Sequence, residues 1–174
     1  MKSMANSKID EMYDAIYDGD CTKIDTLVSA GLSVDTRVQG DEWNFLHMAL
    51  VSITIPPDPD VIRHLIDIGV DVNARDRCLW TPLHYAVRTK NRQVVKMLID
   101  AGADVDPVND EGISPLHQCL LVQKCDLEVV EMLLAAGADP DHDRGGGTVR
   151  NYINVVASPD SGALLKLLDK YTKK

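Results

Sequence analysis

The sequence lacks the features that would point to a membrane, a secretory route or a nucleic-acid surface. No run approaches the roughly 18 uninterrupted apolar residues that a membrane-spanning helix needs. Met1 to Asp20 mixes polar and apolar residues, without the basic start and apolar core of a secretory signal. Lys and Arg total 18 against 27 Asp and Glu, for a net charge of −9. That balance argues against nucleic acid and anionic membranes as partners.

The chain also has little that could carry chemistry. Its four cysteines show no paired short spacing and are expected to be reduced thiols of an intracellular, cytoplasmic protein: Cys21, Cys78, Cys119 and Cys125. No Ser, Cys or His stands in a nucleophile elbow or another catalytic signature. We therefore predict no enzyme activity, no catalytic residue and no cofactor.

Two segments only imitate ligand sites. Residues 139–143 begin like a calcium loop, but Arg144 and Arg150 stand where such a loop needs Gly and Glu. The glycines at 145–147 are not followed by the Gly-Lys-Ser/Thr of a phosphate loop. Both segments are better interpreted as polar loops, so no metal site is predicted.

What the sequence does contain is an internal repeat. Gly31, Gly69, Gly102 and Gly137 are separated by 38, 33 and 35 residues. A second marker keeps the same phase: the phrases at 44–47, 81–84 and 114–117 each end in His, 15 or 16 residues after one of these glycines. Two markers in one phase predict a stacked array. We predict a single domain of five units, at about 6–38, 39–75, 76–108, 109–143 and 144–174.

The third unit shows what each unit should form. Thr81 can cap a helix whose first turn accepts Pro82, and Lys90-Asn91 ends it. A second helix has its buried stripe at Val94, Val95, Leu98 and Ile99. Gly102 should end that helix in a left-handed conformation. Since one short helix pair cannot bury its apolar faces alone, we predict an all-α solenoid of helix-turn-helix units joined by hairpin-like fingers.

The phrase Thr-Pro-Leu-His-Tyr-Ala at 81–86, followed by Val94-Val95 and by Ala-Gly-Ala-Asp-Val at 101–105, resembles the ankyrin repeat. The resemblance covers nearly the whole chain. It implies a protein that binds a protein partner on its concave side, formed by the fingers and the first helix of each unit. Glu42 and Leu79 depart from it, because the family usually has a finger glycine there. Tyr13 and Tyr152 replace the motif His in the first and last units.

The motif histidines, His47, His84 and His117, are candidates for metal ligands by residue type. They sit at one phase of separate units, on the order of 10 Å apart, whereas zinc ligands converge on one ion. We expect buried imidazoles that join each finger to the next. Polar outer faces on the first and last units predict terminal caps, hence a complete and monomeric array.

Carrying the implied concave side onto this sequence gives a candidate binding surface, here called the finger face. Both tryptophans fall at one phase of it, where an aromatic side chain can anchor a partner or pack between fingers. The finger face comprises Asp41, Trp43, Arg75, Arg77, Cys78, Trp80, Tyr85, Arg88, Val108, Asp110, Glu111 and Ile113. Flanking positions one turn past the His are Val51, Ser52, Thr89, Leu121 and Val122.

Charge suggests the character of the partner. Residues 109–143 carry eight acidic side chains and one lysine, beside an arginine-rich third unit. A basic protein partner is therefore favoured, with the chain acting as its inhibitor or as a toxin-neutralising immunity protein. A passive scaffold or adaptor is the alternative, and an enzyme or metal-dependent protein is disfavoured. Asn73, with Leu65 eight residues before it, also resembles ankyrin asparagines that are hydroxylated in animal cells.

Overall fold

The computed structural model describes residues 4–52, 54–121, 126–141, 147–155 and 161–172. Within these ranges the regular structure is all α-helix, without a strand, as predicted. None of the described helices is long and apolar enough to cross a membrane. The helices are α1 (Met4–Asp18), α2 (Cys21–Ser29), α3 (Phe45–Leu50), α4 (Pro59–Asp67), α5 (Pro82–Thr89), α6 (Arg92–Asp100), α7 (Pro115–Leu121), α8 (Leu127–Ala135), α9 (Val149–Val155) and α10 (Ser161–Tyr171).

Consecutive helices form pairs, and the pairs stack in a row. The odd-numbered helices pack in order, α1 on α3, α3 on α5, α5 on α7 and α7 on α9. The even-numbered helices form a second layer in which α4, α6, α8 and α10 follow one another. This is the predicted solenoid, in which each pair buries its apolar faces against its neighbours.

Local sequence sets the helix boundaries. The second helix of each of the first four pairs begins after an Asx residue whose side chain accepts a backbone N–H of the first turn: Asp20, Asp58, Asn91 and Asp126. The third pair follows the prediction closely. Thr81 is the N-cap, Pro82 occupies the first turn and Lys90 ends α5 with a positive φ of 58°. Gly102 ends α6 with φ 87°.

The core runs the length of the stack. Its fully buried side chains come from every pair: Met12, Ile24, Phe45, Leu46, Leu50, Ile62, Leu65, Leu83, Leu98, Leu116, Leu133 and Leu168. In the predicted stripe of α6, Val94, Val95 and Leu98 are buried and Ile99 is half-buried. Cys119 is buried at 2% exposure, in agreement with its interpretation as a small packing residue.

Candidate functional site

The fingers lie at residues 38–43, 76–80 and 109–113, and each is closed by a backbone hydrogen bond between its ends. Val38 N donates to the Trp43 carbonyl, Asp76 N to that of Trp80, and Asn109 N to that of Ile113. The second finger holds one residue more than the other two between its bonded ends. These three segments are called the second, third and fourth fingers below.

The residue just before the end of each finger has a left-handed backbone, and the second finger has a further positive φ of 102° at Gly40. φ is 58° at Glu42, 62° at Leu79 and 76° at Gly112. Glu42 and Leu79 stand where the sequence analysis expected glycine. Both residues nevertheless adopt the left-handed backbone conformation that glycine favours. A side chain in this conformation costs about 1–2 kcal/mol, so the tips of the second and third fingers carry backbone strain. At the third tip the strained residue is an exposed leucine.

The odd-numbered helices are called the inner helices below and the even-numbered ones the outer helices. Two buried histidines join the inner helices α3 and α5 to the next finger. His47 Nδ1 lies 3.3 Å from the Asn44 backbone N–H that it accepts, and its Nε2 lies 3.0 Å from the Trp80 carbonyl. His84 repeats this with Thr81 N–H at 3.1 Å and the Ile113 carbonyl at 3.0 Å. In each ring Nε2 faces a backbone carbonyl, which assigns the proton to Nε2 as the donor and leaves Nδ1 to accept the backbone N–H. The expected finger-to-finger role is thereby confirmed for His47 and His84. His117 differs from the prediction of a buried imidazole, because it is only half-buried, and its Nδ1 lies 3.1 Å from Ser114 Oγ.

Burial also sets the charge of these rings. It lowers the pKa of His84 to about 4, against the opposing effect of the hydrogen bond to Ile113. Burial likewise lowers the pKa of His47. Both imidazoles are thus neutral at pH 7. In the part of the chain that the structure describes, no three His, Cys, Asp or Glu side chains are grouped so as to hold a metal ion.

Backbone hydrogen bonds also join the three fingers directly. Arg77 N donates to the Asp41 carbonyl at 2.9 Å, and Asp110 N donates to the Cys78 carbonyl at 3.1 Å. Arg75 adds a side-chain bond from Nη1 to the Val108 carbonyl at 3.3 Å. Residues that are distant in sequence therefore lie side by side along one edge of the stack.

The structure brings the predicted finger-face residues together, but the exposed fraction of the side chain differs from one residue to another. Asp41, Arg75, Arg77, Cys78, Asp110 and Glu111 are exposed. Trp43, Trp80, Arg88, Val108 and Ile113 are half-buried. Tyr85 is only 7% exposed. Tyr85 therefore supports the surface from beneath, whereas the sequence suggested that it could reach the edge.

Trp80, Tyr85 and Arg88 pack together at the centre of this surface, with the two ring planes inclined at 56°. The Trp80 and Tyr85 ring centroids are 5.2 Å apart. The Arg88 guanidinium lies 4.9 Å from the Tyr85 ring centre and 5.9 Å from that of Trp80. Its Nη2 donates to the Val51 carbonyl at 2.8 Å. Cation–π contacts and this hydrogen bond fix the position of the Arg88 guanidinium against the two aromatic rings.

Asp76 organises the third finger, and sequence reasoning missed it. Its Oδ1 accepts the backbone N–H groups of Cys78 and Trp80, both at 2.8 Å, and its Oδ2 accepts the Tyr85 hydroxyl at 2.7 Å. Burial and this bond raise the pKa of Tyr85. The signal was available, because Asn109 stands 33 residues later and makes the same two backbone bonds in the fourth finger.

Four of the eight acidic side chains at 109–143 form ion pairs with described residues. Arg92 of α6 forms ion pairs with Asp126 and Glu128. Lys170 pairs with Glu131 at 2.7 Å, and Arg150 with Asp141 at 2.9 Å. These carboxylates join neighbouring helix pairs. The acidic groups that remain exposed on the finger face are Asp110 and Glu111, together with Asp41.

Two further sequence observations have structural outcomes. The side-chain amide of Asn73 donates to the Gly102 carbonyl at 3.1 Å and accepts Asp104 N–H at 2.7 Å, so it joins the second unit to the third. His64 lies on α4 and contacts Asp25 at 2.8 Å. Several residues named from the sequence lie outside the described residues: Val122, Cys125, His142, Asp143, Arg144, Gly145 and Gly146.

Comparison with known proteins agrees with this geometry. Residues 12–104 and 55–144 match the family model described as ankyrin repeats in three copies. Tyrosine-protein kinase Shark of Drosophila melanogaster is 38% identical over 79 residues, which are 45% of this chain and 8% of that protein. Alpha-latrocrustotoxin-Lt1a of Latrodectus tredecimguttatus is 31% identical over 103 residues, which are 59% of this chain and 7% of that protein. Protein phosphatase 1 regulatory subunit 27 of Mus musculus is 32% identical over 103 residues, which are 59% of this chain and 64% of that protein. The chain therefore matches less than two thirds of the length of each of these relatives.

Proposed function

The chain belongs to the ankyrin-repeat family, whose repeats are protein–protein interaction modules and are generally not catalytic, and we propose that it binds a protein partner through its finger face. The observation that carries this proposal is the alignment of the second, third and fourth fingers. Backbone bonds between fingers and the buried histidines fix that alignment before any partner arrives. A surface ordered in advance loses less conformational entropy on binding.

The third finger is the proposed centre of the interface. It presents exposed Arg77, Cys78 and Leu79 beside half-buried Trp80. A tryptophan and an arginine within one preformed patch are typical of binding hot spots. Strained backbone at Leu79 supports the same assignment, since strain is often retained where function needs a particular side chain.

The charges of the finger face define a partner with a mixed pattern. Asp110 and Glu111 on the fourth finger, with Asp41 on the second, would contact basic groups of the partner. Arg75 and Arg77 lie between them in the row and would contact acidic groups. The proposal of a basic partner thus rests on these three exposed carboxylates, because most other acids of residues 109–143 already have cations.

Inhibition or regulation of an enzyme is the more specific form of this proposal. It is supported by the printed name of the mouse relative, a regulatory subunit of a phosphatase. A passive scaffold or adaptor would use the same surface without changing the partner's activity. A cytoplasmic location and a monomeric state belong to this proposal as well. Activity measured on a co-purified enzyme, with and without the chain, separates an inhibitor from an adaptor.

Paired charge reversals test the binding surface. The tagged chain and its Arg77→Glu and Arg63→Glu variants are used to capture proteins from the source cells, and bound proteins are quantified by mass spectrometry. Both arginines are exposed, but Arg77 lies on the finger face and Arg63 on the outer helix α4. We expect Arg77→Glu to lose the partner and Arg63→Glu to retain it. Trp80→Ala is a second test, accompanied by a circular dichroism melt, because Trp80 packs partly on the core.

Equal capture by the wild-type chain and the Arg77→Glu and Trp80→Ala variants would show that the partner binds elsewhere. Loss of capture with Arg63→Glu alone would place the interface on the outer helices. A folded Trp80→Ala variant with unchanged affinity would remove the third finger from the centre of the interface.

A further inference from the structure

A second surface lies at the other end of the inner helices, away from the fingers. α3 begins directly after the second finger, and the chain leaves it at Val51 and Ser52 to enter the loop that precedes α4. This loop is the longest connection between the His phrase and the following glycine, and it contains Ile55, Pro56 and Pro57. Between the loop, α3 and α1 there is a cleft with a cavity volume of about 90 Å³.

The lining of this cleft is mostly apolar. Its walls are Tyr13, Tyr17, Met48, Ile55, Pro56 and Val61. Three of these are large and exposed: Tyr13 at 45%, Tyr17 at 59% and Ile55 at 42%. The described residues contain only two other large exposed hydrophobic side chains, Leu79 and Leu121. Such clustering of exposed apolar surface beside a cavity is typical of an interaction site.

The wall formed by the loop is held in place. Ile55 N donates to Ser52 Oγ at 3.0 Å, which places the isoleucine over the end of α3. Pro57 is buried, and Asn91 Nδ2 lies 3.5 Å from its carbonyl. Proline restricts the backbone at 56, 57 and 59. A wall with these constraints can accept a side chain at little cost in loop ordering.

The charges around the cleft are acidic and lack cations. Asp58 lines the cleft, and both Asp58 and its neighbour Asp60 are exposed and form no ion pair with any described residue. The turn after α1 lies beside Asp58, since a Cβ on Gly19 would lie 3.2 Å from Asp58 Oδ2. The two nearby lysines are already engaged, Lys23 with Glu11 and Lys8 with the Ala30 carbonyl. This differs from residues 109–143, where carboxylates are paired across helix pairs.

A half-buried thiol beside these carboxylates responds to their charge. Burial raises the pKa of the Cys21 thiol, and the charges of Asp58, Asp25, Asp60 and Asp20 raise it further. An added positive charge at the rim would therefore be stabilised by several carboxylates at once. Contacts of this kind increase both association rate and selectivity.

We propose that this cleft is a second protein-docking site, which takes a partner segment carrying one large apolar side chain with Lys or Arg close to it. The apolar side chain enters between Tyr17 and Ile55, and the basic residue faces Asp58 and Asp60. The cavity has room for about one aliphatic side chain, so the segment is a short anchor rather than a long helix laid along a groove. This site is independent of the finger face.

A phage-displayed library of random 12-residue peptides, selected on the full chain, tests the proposal. Phage are first depleted on a Tyr17→Ser/Ile55→Ser variant, so that ligands of the finger face are removed. We expect the enriched peptides to combine a large apolar residue with Lys or Arg. Affinities of one enriched synthetic peptide are then measured by fluorescence anisotropy for the wild-type chain and its variants.

The expected loss of affinity is about tenfold or more for Tyr17→Ser/Ile55→Ser and about threefold to tenfold for Asp58→Asn/Asp60→Asn. Leu121→Ser, which removes an exposed leucine on α7, should leave affinity unchanged. Circular dichroism melts establish that each variant is folded. Absence of enrichment, enriched peptides without basic residues, or equal binding to the Tyr17→Ser/Ile55→Ser variant would each overturn the proposal.

Discussion

Acid should weaken the stack through His84, and the size of the effect follows from its environment. His84 is fully buried, and burial lowers its pKa from 6.5 to about 4. The unfolded chain therefore binds this proton more tightly than the folded chain between pH 6.5 and pH 4. The contribution of neutral His84 to the free energy of unfolding is therefore fully present above pH 6.5 and is lost as the pH falls from 6.5 to 4.

The geometry explains why protonation of His84 is unfavourable in the folded protein. Nε2 already carries a proton and donates it to the Ile113 carbonyl, so a second proton must go to Nδ1. Nδ1 is the acceptor of the Thr81 backbone N–H, and that cap bond would be broken. A lowering of about 2.5 pKa units corresponds to about 3.4 kcal/mol in full, of which about 2 kcal/mol is lost by pH 5. His47 contributes in the same direction.

Urea unfolding at pH 7 and pH 5, followed by far-ultraviolet circular dichroism, measures this loss. Carboxylates also titrate in acid, so the informative quantity is the difference between the wild-type chain and His84→Gln. The variant should be less stable at pH 7, yet lose about 2 kcal/mol less on going to pH 5. An NMR titration of the folded protein that finds His84 protonating near pH 6.5, or parallel pH dependence of the two proteins, would refute the reasoning.

Three other stability predictions follow from the fingers and the ion pairs, each measured by urea unfolding at pH 7. Leu79→Gly should raise the free energy of unfolding by about 0.5–1 kcal/mol, because φ is 62° at this position. Gly112→Ala should lower it by at least the same amount, because φ is 76° there. Changes of the opposite sign would contradict the strain argument. Asp76→Ala should lower the free energy of unfolding by about 3 kcal/mol, because it removes the hydrogen bonds to the finger backbone and to Tyr85. Asp76→Asn should lower it clearly less. Equal losses for the two variants would show that these hydrogen bonds do not determine the effect. Arg92→Gln should destabilise only slightly and reduce the salt dependence of stability, since the guanidinium is exposed; a salt dependence equal to that of the wild-type chain would contradict this.

The two proposed docking surfaces differ in what holds them. The finger face is fixed by hydrogen bonds that repeat from pair to pair, and at its centre the Trp80 and Tyr85 rings pack against Arg88. The cleft between α1 and α3 depends on one loop that is peculiar to the second unit. A partner could engage one surface or both, and the variants described above distinguish these cases because they change separate parts of the stack.

Repetition explains why so much of the architecture was predictable. Markers such as Thr81, His84 and Gly102 act within one unit or on its immediate neighbour, through caps, left-handed turns and helical periodicity. Because each unit repeats the same local solution, the stack of helix pairs and the role of the buried histidines followed from spacing alone. The finger-face residues likewise fell in one row because they share a phase.

Only the tertiary structure decided which charges are already paired and which side chains are accessible. Arg92 meets Asp126 across 34 residues, and Lys170 meets Glu131 across 39, so the acidic count of residues 109–143 misrepresents the charge offered to a partner. Tyr85 shares the finger-face phase but is covered by Trp80 and Arg88. These outcomes depend on how neighbouring pairs approach one another, and side-chain pairing across that distance leaves no local pattern in the sequence.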